Sequence, residues 1–327
     1  MVKVASVLVS IVSLIDRIPE PAKPIKRSRG RPQIYDDKLF LKALVIMIIR
    51  RLASAYALYQ VLEQPNQEMQ VLRGLLSVAG KYPSRRRFER RLAKLPTSLP
   101  AQIACLGDYL LNLLKPWAQC GRAAAIDSTL LAAKGGVWHK KDREAGLVPH
   151  SSIDIEAHWS KSGWHGWVYG WKLHLVVTVA AVWIPLAARL SPANMADNEP
   201  APEMIHDLPP EAHYVLGDLH YHADNVHAAC DEEERILITP QYGSYPHTDE
   251  AKEVRRIFHL LRHRAIENFN EQFKAIFKLH HKVPTKGLIK TQCFALGAIL
   301  LYQLVLLYRF EQGLSLRLGL KPFFDAL

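Results

Sequence analysis

The stretch Ala123-Ala124-Ala125-Ile126-Asp127-Ser128-Thr129-Leu130 sets a single carboxylate in the middle of an apolar run. A run this short, bounded by polar residues, predicts a strand, and that strand decides the fold. A carboxylate taken into a core without a partner is costly, so Asp127 is expected to pair, to be neutralised or to bind metal. Toward the C-terminus, 169–180 and 182–190 are β-rich runs with a short connection, as in a hairpin. Residues 212–219 read as a strand, 223–233 as a helix, 235–239 as a strand and 248–280 as a long helix. That order predicts a mixed α/β sheet covered by later helices, including the hydrophobic stretch 286–311 beneath it. Residues 135–168, rich in Gly, His, Trp, Lys and Ser, predict a long loop with a turn of helix.

On the N-terminal side the pattern turns helical and basic. Apolar residues recur at helical spacing through Leu39, Leu44, Ile48, Leu52, Tyr56 and Tyr59, and further helices are expected over 67–79 and 99–114. Ser84 is placed as a helix N-cap ahead of Arg85, Arg86, Arg87, Arg90 and Arg91. Residues 19–33 mix prolines with Lys26, Arg27, Arg29 and Arg31 and predict an extended arm suited to phosphates. The expected division is a helical basic region over 1–118 and an α/β domain over 119–327.

The 327 residues carry 42 Lys and Arg against 31 Asp and Glu, a net charge of +11. The surplus is local: residues 1–100 hold 19 basic and 7 acidic side chains, whereas 195–250 hold 13 acidic ones and Arg235 alone. Residues 251–290 return to 10 basic against 3 acidic. A basic arm, an acidic centre and a second basic block suit a protein that grips a polyanion around a metal site. Four dispersed cysteines exclude a disulfide framework and a cysteine zinc site, and they suit a reducing cytoplasm. The apolar runs are shorter than the roughly 18–20 residues that span a bilayer, so no membrane segment is expected. The run 4–15 is taken as a core or capping helix, not as a secretion signal.

Three carboxylates stand out. Beside Asp127, Asp218 closes the strand Tyr214-Val215-Leu216-Gly217, at the kind of strand end where open α/β sheets place their sites, and Gly217 permits close backbone approach. Glu267 lies on the polar face of the long helix, opposite the stripe Val254, Phe258, Leu261, Ala265, Phe269, Phe273 and Ile276. Hard oxygen ligands from separate elements suit Mg²⁺ or Mn²⁺, and two such ions serve phosphodiester chemistry. Rival readings are weaker. Asp218-Leu219-His220-Tyr221-His222 with His227 lacks a zinc framework, and Ser128 lacks the context of a nucleophile. Glu271 is a rival to Glu267 one turn on, while Asp142, Asp154 and Asp224 read as loop or capping residues. Trp159, Trp164, Trp167 and Trp171 either stack on unpaired bases or pack the loop.

These blocks together resemble the bacterial insertion-sequence transposases of the DDE type. The resemblance rests on Gly30-Arg31-Pro32 with Tyr35, on Ala125-Ile126-Asp127-Ser128-Thr129, and on Tyr169-Gly170-Trp171-Lys172-Leu173-His174 continuing to Ala193-Asn194-Met195-Ala196-Asp197. Leu216-Gly217-Asp218 with Tyr221, and Arg264-Ala265-Ile266-Glu267 with Phe269, Asn270 and Lys274, complete it. It implies a ribonuclease H-like five-stranded mixed sheet flanked by helices, with Asp127, Asp218 and Glu267 as a catalytic triad holding two Mg²⁺ or Mn²⁺ ions. It further implies double-stranded DNA as partner, both terminal inverted repeats and target, bound by a homodimer in the cytoplasm at the nucleoid. Arg85, Arg86, Arg87, Arg90, Arg91, Lys172, Arg264 and Lys274 are the expected DNA contacts. Relatives carry Y-x2-R-x3-E-x6-K at the last carboxylate. Here Leu260 and His263 stand at the Tyr and Arg positions, with Arg264 as the substitute. That departure keeps a second expectation open, a non-catalytic DNA-binding protein descended from a decayed transposase.

Overall fold

The computed structural model describes residues 6–22, 34–118, 121–163, 166–240 and 248–327. Lys26, Arg27, Arg29, Arg31 and Trp164 lie outside those residues. Six helices come first: α1 (Val7–Leu14), α2 (Asp37–Ile49), α3 (Ala55–Leu62), α4 (Gln67–Leu75), α5 (Arg85–Leu92) and α6 (Leu99–Ala118). Ser6, Asp36, Ser54 and Asn66 cap the first four, each accepting from a backbone N–H in the first turn. Ser84 stands at the N-cap of α5, but its side chain makes no capping bond, contrary to expectation. Helix α1 buries Leu8, Val9, Ile11, Val12 and Leu14, as a core helix does.

The sheet follows: β1 (Ala123–Ala132), β2 (His158–Ser162), β3 (Gly166–Thr178), β4 (Pro185–Pro192), β5 (Tyr214–Leu216) and β6 (Ile236–Ile238). The short helix α7 (Lys140–Glu144) precedes β2, α8 (Ala201–His206) precedes β5, and α9 (Asp224–Glu232) joins β5 to β6. Strand β1 is central. It pairs antiparallel with β3 on one side and parallel with β5 on the other, and β5 pairs parallel with β6. Strand β4 pairs antiparallel with β3. The order β4-β3-β1-β5-β6, with its one antiparallel half and one parallel half, is the expected ribonuclease H-like α/β arrangement.

The sheet nevertheless has six strands, not five. Strand β2, His-Trp-Ser-Lys-Ser, pairs with the first part of β3 over Gly166–Gly170, where a loop was expected. Its polar residues are only partly buried, so it lacks the apolar alternation by which a half-buried strand is recognised.

Four further segments complete the chain: α10 (Asp249–Arg262), α11 (Asn268–Phe277), α12 (Leu288–Glu311) and α13 (Leu320–Asp325). Helices α10 and α11 form one run interrupted by a π-helical turn, His263–Glu267. The expected apolar stripe is therefore split. Ala265, Phe269, Phe273 and Ile276 are buried, while Val254 and Leu261 on α10 are exposed. Helix α12 is the one described helix long and apolar enough to cross a membrane, longer than the apolar runs suggest, yet 78% of its apolar window is buried inside the fold. It packs against α6, α2 and β4, and α6 itself lies on β4, so the N-terminal helices and the sheet share one core. Gln303, fully buried in α12, donates from Nε2 to the carbonyls of Ile103 and Pro185 at 2.8 Å each. That satisfies its amide hydrogens and ties α12 to both layers. Asp154 and Glu156 accept from the backbone N–H groups of Gly287 and Leu288, placing carboxylates at the positive end of α12.

Candidate active site

Asp127 and Asp218 meet because of strand register. Ala125 on β1 is paired with Leu216 on the parallel strand β5. Each aspartate lies two residues beyond its paired neighbour, so the strand period of two aims both carboxylates from the same face of adjacent strands. Asp218 also caps the 3₁₀ turn Leu219–Tyr221, its Oδ1 accepting from the backbone N–H of His220 at 2.9 Å. The ring of Tyr221 fills the space where a Cβ on Gly217 would lie, 2.8 Å from Tyr221 Cβ, which is why this position takes glycine.

Glu267 arrives from the π-helical turn, which packs onto β1 and β3 through buried Ala265 and Ile266. In an α-helix, positions five apart do not face one another; one extra residue in the turn brings Arg262 and Glu267 together. Arg262 is buried, and its guanidinium reaches all three carboxylates. Nη2 lies 3.3 Å from Asp127 Oδ1 and 3.8 Å from Asp218 Oδ2, and Nη1 lies 3.5 Å from Glu267 Oε1. His263 Nδ1 stands 2.8 Å from Glu267 Oε2. The arginine of this site is thus Arg262. Arg264, the expected substitute, points to solvent on the helix surface.

The electrostatics follow from this crowding. Burial pushes the Asp127 carboxyl up to about 7, against the opposing pull of Arg262 and with a further push from Asp218. Burial lowers Lys274, while Glu271 and Asp127 raise it, so Lys274 lies within electrostatic reach of the site. Tyr221 is fully buried, and its hydroxyl has no hydrogen-bond partner among the described residues. Burial first, then Asp127, Asp197 and Asp218, hold that phenol well above its ordinary range. Donor chemistry fits a divalent cation, since three hard-oxygen carboxylates come from three elements. Among the described residues, however, no three such side chains stand close enough to hold a metal ion as placed, and the Arg262 guanidinium lies between them.

Lys172, one of the expected DNA contacts, lies inside the fold. It is buried on β3, with Nζ 3.0 Å from Asp197 Oδ1 and donating to the carbonyl of Met195 at 2.7 Å. Ser128 donates to the same Asp197 oxygen at 2.6 Å, and His174 shares Lys172's face of β3, Nε2 being 2.8 Å from Ser191 Oγ. Asp197 is therefore the anion that buried Lys172 requires, and His174, two residues on along the same strand face, stands 3.9 Å from the same oxygen through Nδ1. Sequence reasoning missed Arg262 and gave no role to Asp197 or Tyr221, although both stand in the resembling blocks; for Asp197 the available signal was a lysine, Lys172, within an apolar strand.

His174 makes a pH test. Burial, more than its neighbours, lowers its pKa from 6.5 to about 4, so the folded protein keeps it neutral where the unfolded chain takes a proton. Its contribution is complete above about 6.5 and is lost as pH falls toward about 4, amounting to about 3 kcal/mol. Asp127, raised, acts with the opposite sign over the same range. The difference between parent and His174→Gln unfolding curves from pH 7 to 4 isolates the histidine, and a pH-independent difference counts against its burial as neutral imidazole.

The remaining expected residues fall into three groups. On α5, Arg86 and Arg90 are exposed, Arg85 pairs with Glu89 and lies over Tyr56, Arg87 lies over Tyr35, and Arg91 pairs with Asp37. Trp171 is buried and Trp159 packs on Tyr169, whereas Trp167 is 67% exposed, the one described tryptophan of the set free to stack on a base. His222 contacts both His227 and Thr239, with no third metal-capable side chain beside the two histidines among the described residues.

Residues 118–304 match the family model described as transposase DDE domain. No curated protein matches the chain. Among solved structures, the Mos1 transposase paired-end complex with left transposon end is 13% identical, covering 86% of this chain and 80% of that one, with a TM-score of 0.22.

Proposed function

The chain belongs to the DDE transposase-domain family, and from that premise we propose that it is a DNA transposase whose Asp127, Asp218 and Glu267 carry the chemistry. It cuts the ends of an insertion element and joins the freed 3′-OH to target DNA. The observation that supports this best is the placement of the three carboxylates, two by parallel strand register and one by the π-helical turn, around the one guanidinium of Arg262.

Asp127, Asp218 and Glu267 would hold Mg²⁺ or Mn²⁺, two ions in the full reading, which when bound activate an attacking oxygen and stabilise a leaving one. The chain's own groups do the rest. Asp218 and Glu267 have side chains 32% and 45% exposed, so a phosphodiester reaches the carboxylates from their side, while Asp127 closes the inner wall. Lys274, within electrostatic reach of Asp127, and Arg264, on the solvent face, would neutralise the backbone flanking the cut. Arg86 and Arg90 extend the basic surface on α5, with Arg85, Arg87 and Arg91 completing its positive face for terminal inverted repeats. Joining two ends calls for a homodimer on DNA, in the cytoplasm at the nucleoid.

The test is a labelled duplex carrying the element's ends, incubated with Mg²⁺ and the parent protein or Glu267→Gln. The parent is expected to nick at the end. The variant is expected to protect the same DNA and leave it uncut. Equal cutting by both rejects Glu267, and protection without cutting by either establishes the alternative, a DNA-binding descendant of a transposase.

A further inference from the structure

We propose that Arg262 is a built-in counter-cation of the three-carboxylate site, and that divalent metal binds there only by displacing its guanidinium. The proposal rests on the reading of Asp127, Asp218 and Glu267 as metal ligands.

Three observations carry it. First, one guanidinium is shared among carboxylates from three elements at 3.3, 3.8 and 3.5 Å. Charge-assisted bonds that lock an arginine run at about 2.7–2.9 Å and are commonly bidentate. Arg262 makes no such pair; it is held by the summed charge of the cluster and not by any one partner. Second, its remaining guanidine nitrogen, Nε, is buried without a hydrogen-bond partner among the described residues, so no further contact pins the group in place. Third, the cluster is open on the Asp218 and Glu267 side, and a side chain as long as arginine can withdraw that way without disturbing the strands.

The charge balance sets the direction. Three ionised carboxylates close together repel, and one guanidinium leaves a residual charge of about −2, by the rule that a buried ion needs an opposite partner. A divalent ion leaves about −1 and accepts shorter oxygen contacts, so it outcompetes the guanidinium once its concentration suffices. Metal-free protein is thereby kept folded around a site that would otherwise hold uncompensated charge. Metal affinity is correspondingly lowered by whatever it costs to move Arg262.

The π-helical turn sets which residue does this. His263, four residues before the glutamate, lies against Glu267 Oε2. The extra residue in the turn is what delivers Arg262 to the centre of the cluster.

The experiment uses full-length parent, Arg262→Gln, Arg262→Lys and Asp127→Asn, with Mn²⁺ alone as probe. Free Mn²⁺ is read by electron paramagnetic resonance, and unfolding is followed by circular dichroism without and with saturating Mn²⁺. Arg262→Gln is expected to bind Mn²⁺ at least tenfold more tightly than the parent. It is also expected to melt several degrees lower without metal and to regain the parent's melting temperature with it. Arg262→Lys, which keeps the charge, is expected to stay near the parent without metal. Equal or weaker Mn²⁺ binding by Arg262→Gln, when the parent's binding is abolished by Asp127→Asn, overturns the counter-cation role while leaving the metal-site reading intact. Parent binding of Mn²⁺ that survives in Asp127→Asn, or no binding by any of the four, overturns both.

Discussion

Asp127→Asn is expected to lower cleavage of DNA ends by at least about a thousandfold, equivalent to about 4 kcal/mol of barrier, while leaving the protein folded and bound to DNA. The substitution keeps the shape of the side chain and removes its charge. Asp127 is the innermost of the three carboxylates, its side chain 18% exposed, and it is placed beside Asp218 by the pairing of Ala125 with Leu216. Its removal is not expected to harm the fold. Burial already holds this carboxyl at about 7, so at pH 8 the parent keeps a charge that its surroundings disfavour. The variant should therefore melt no lower than the parent at that pH, and the loss of cleavage cannot be put down to unfolding. Single-turnover nicking rates beside circular-dichroism melts decide the matter, and cutting within tenfold of the parent removes Asp127 from the site.

Gly170→Ala is expected to destabilise the protein by about 3 kcal/mol or more, or to prevent its folding, through backbone overpacking. Gly170 lies where β3 changes neighbours, paired with Ala132 of β1 on one edge and with His158 of β2 on the other. A Cβ there would fall 2.0 Å from the carbonyl oxygen of Leu131, 2.9 Å from the nitrogen of Ala133 and 3.0 Å from Ala132 Cα. All three are backbone atoms of the β1 end, so no flexible side chain can swing aside. A Cβ on Gly74 in α4, by contrast, meets nothing within 4 Å. Gly74→Ala should be neutral or stabilising by up to about 1 kcal/mol, as helix propensity dictates. Urea midpoints for the two variants test the contrast, and a Gly170→Ala midpoint equal to the parent's contradicts the register of β1 on β3.

Most of the sheet was legible because its strands are short apolar runs with clear ends, and runs of that kind have few alternatives in a core. The sixth strand was not, because β2 sits at an edge where nothing forces apolar alternation upon it. The long helix was legible as a helix, but its burial was only half so: a stripe at helical spacing shows that a face is apolar, not that anything covers it. Val254 and Leu261 belong to that stripe and remain exposed. Asp197 went unassigned because its partners, Lys172 and His174, lie on another element and become buried only when β3 enters the sheet.

Asp127 and Asp218 stand out in the sequence as carboxylates in or closing apolar strands, whereas Glu267 shares its polar helix face with Glu271 and is singled out only by the family resemblance. Which arginine meets them does not stand out there. Counting along an ideal helix points to position 263 or to Arg264, because local reasoning assumes 3.6 residues per turn throughout. The burial of Ala265 and Ile266 against β1 and β3 accompanies a wider turn at 263–267, and in that turn Arg262 is the residue that reaches the carboxylates. Helix period is a local property of the chain, whereas a departure from it is settled by the surface on which the helix packs, and that surface exists only once the sheet has formed.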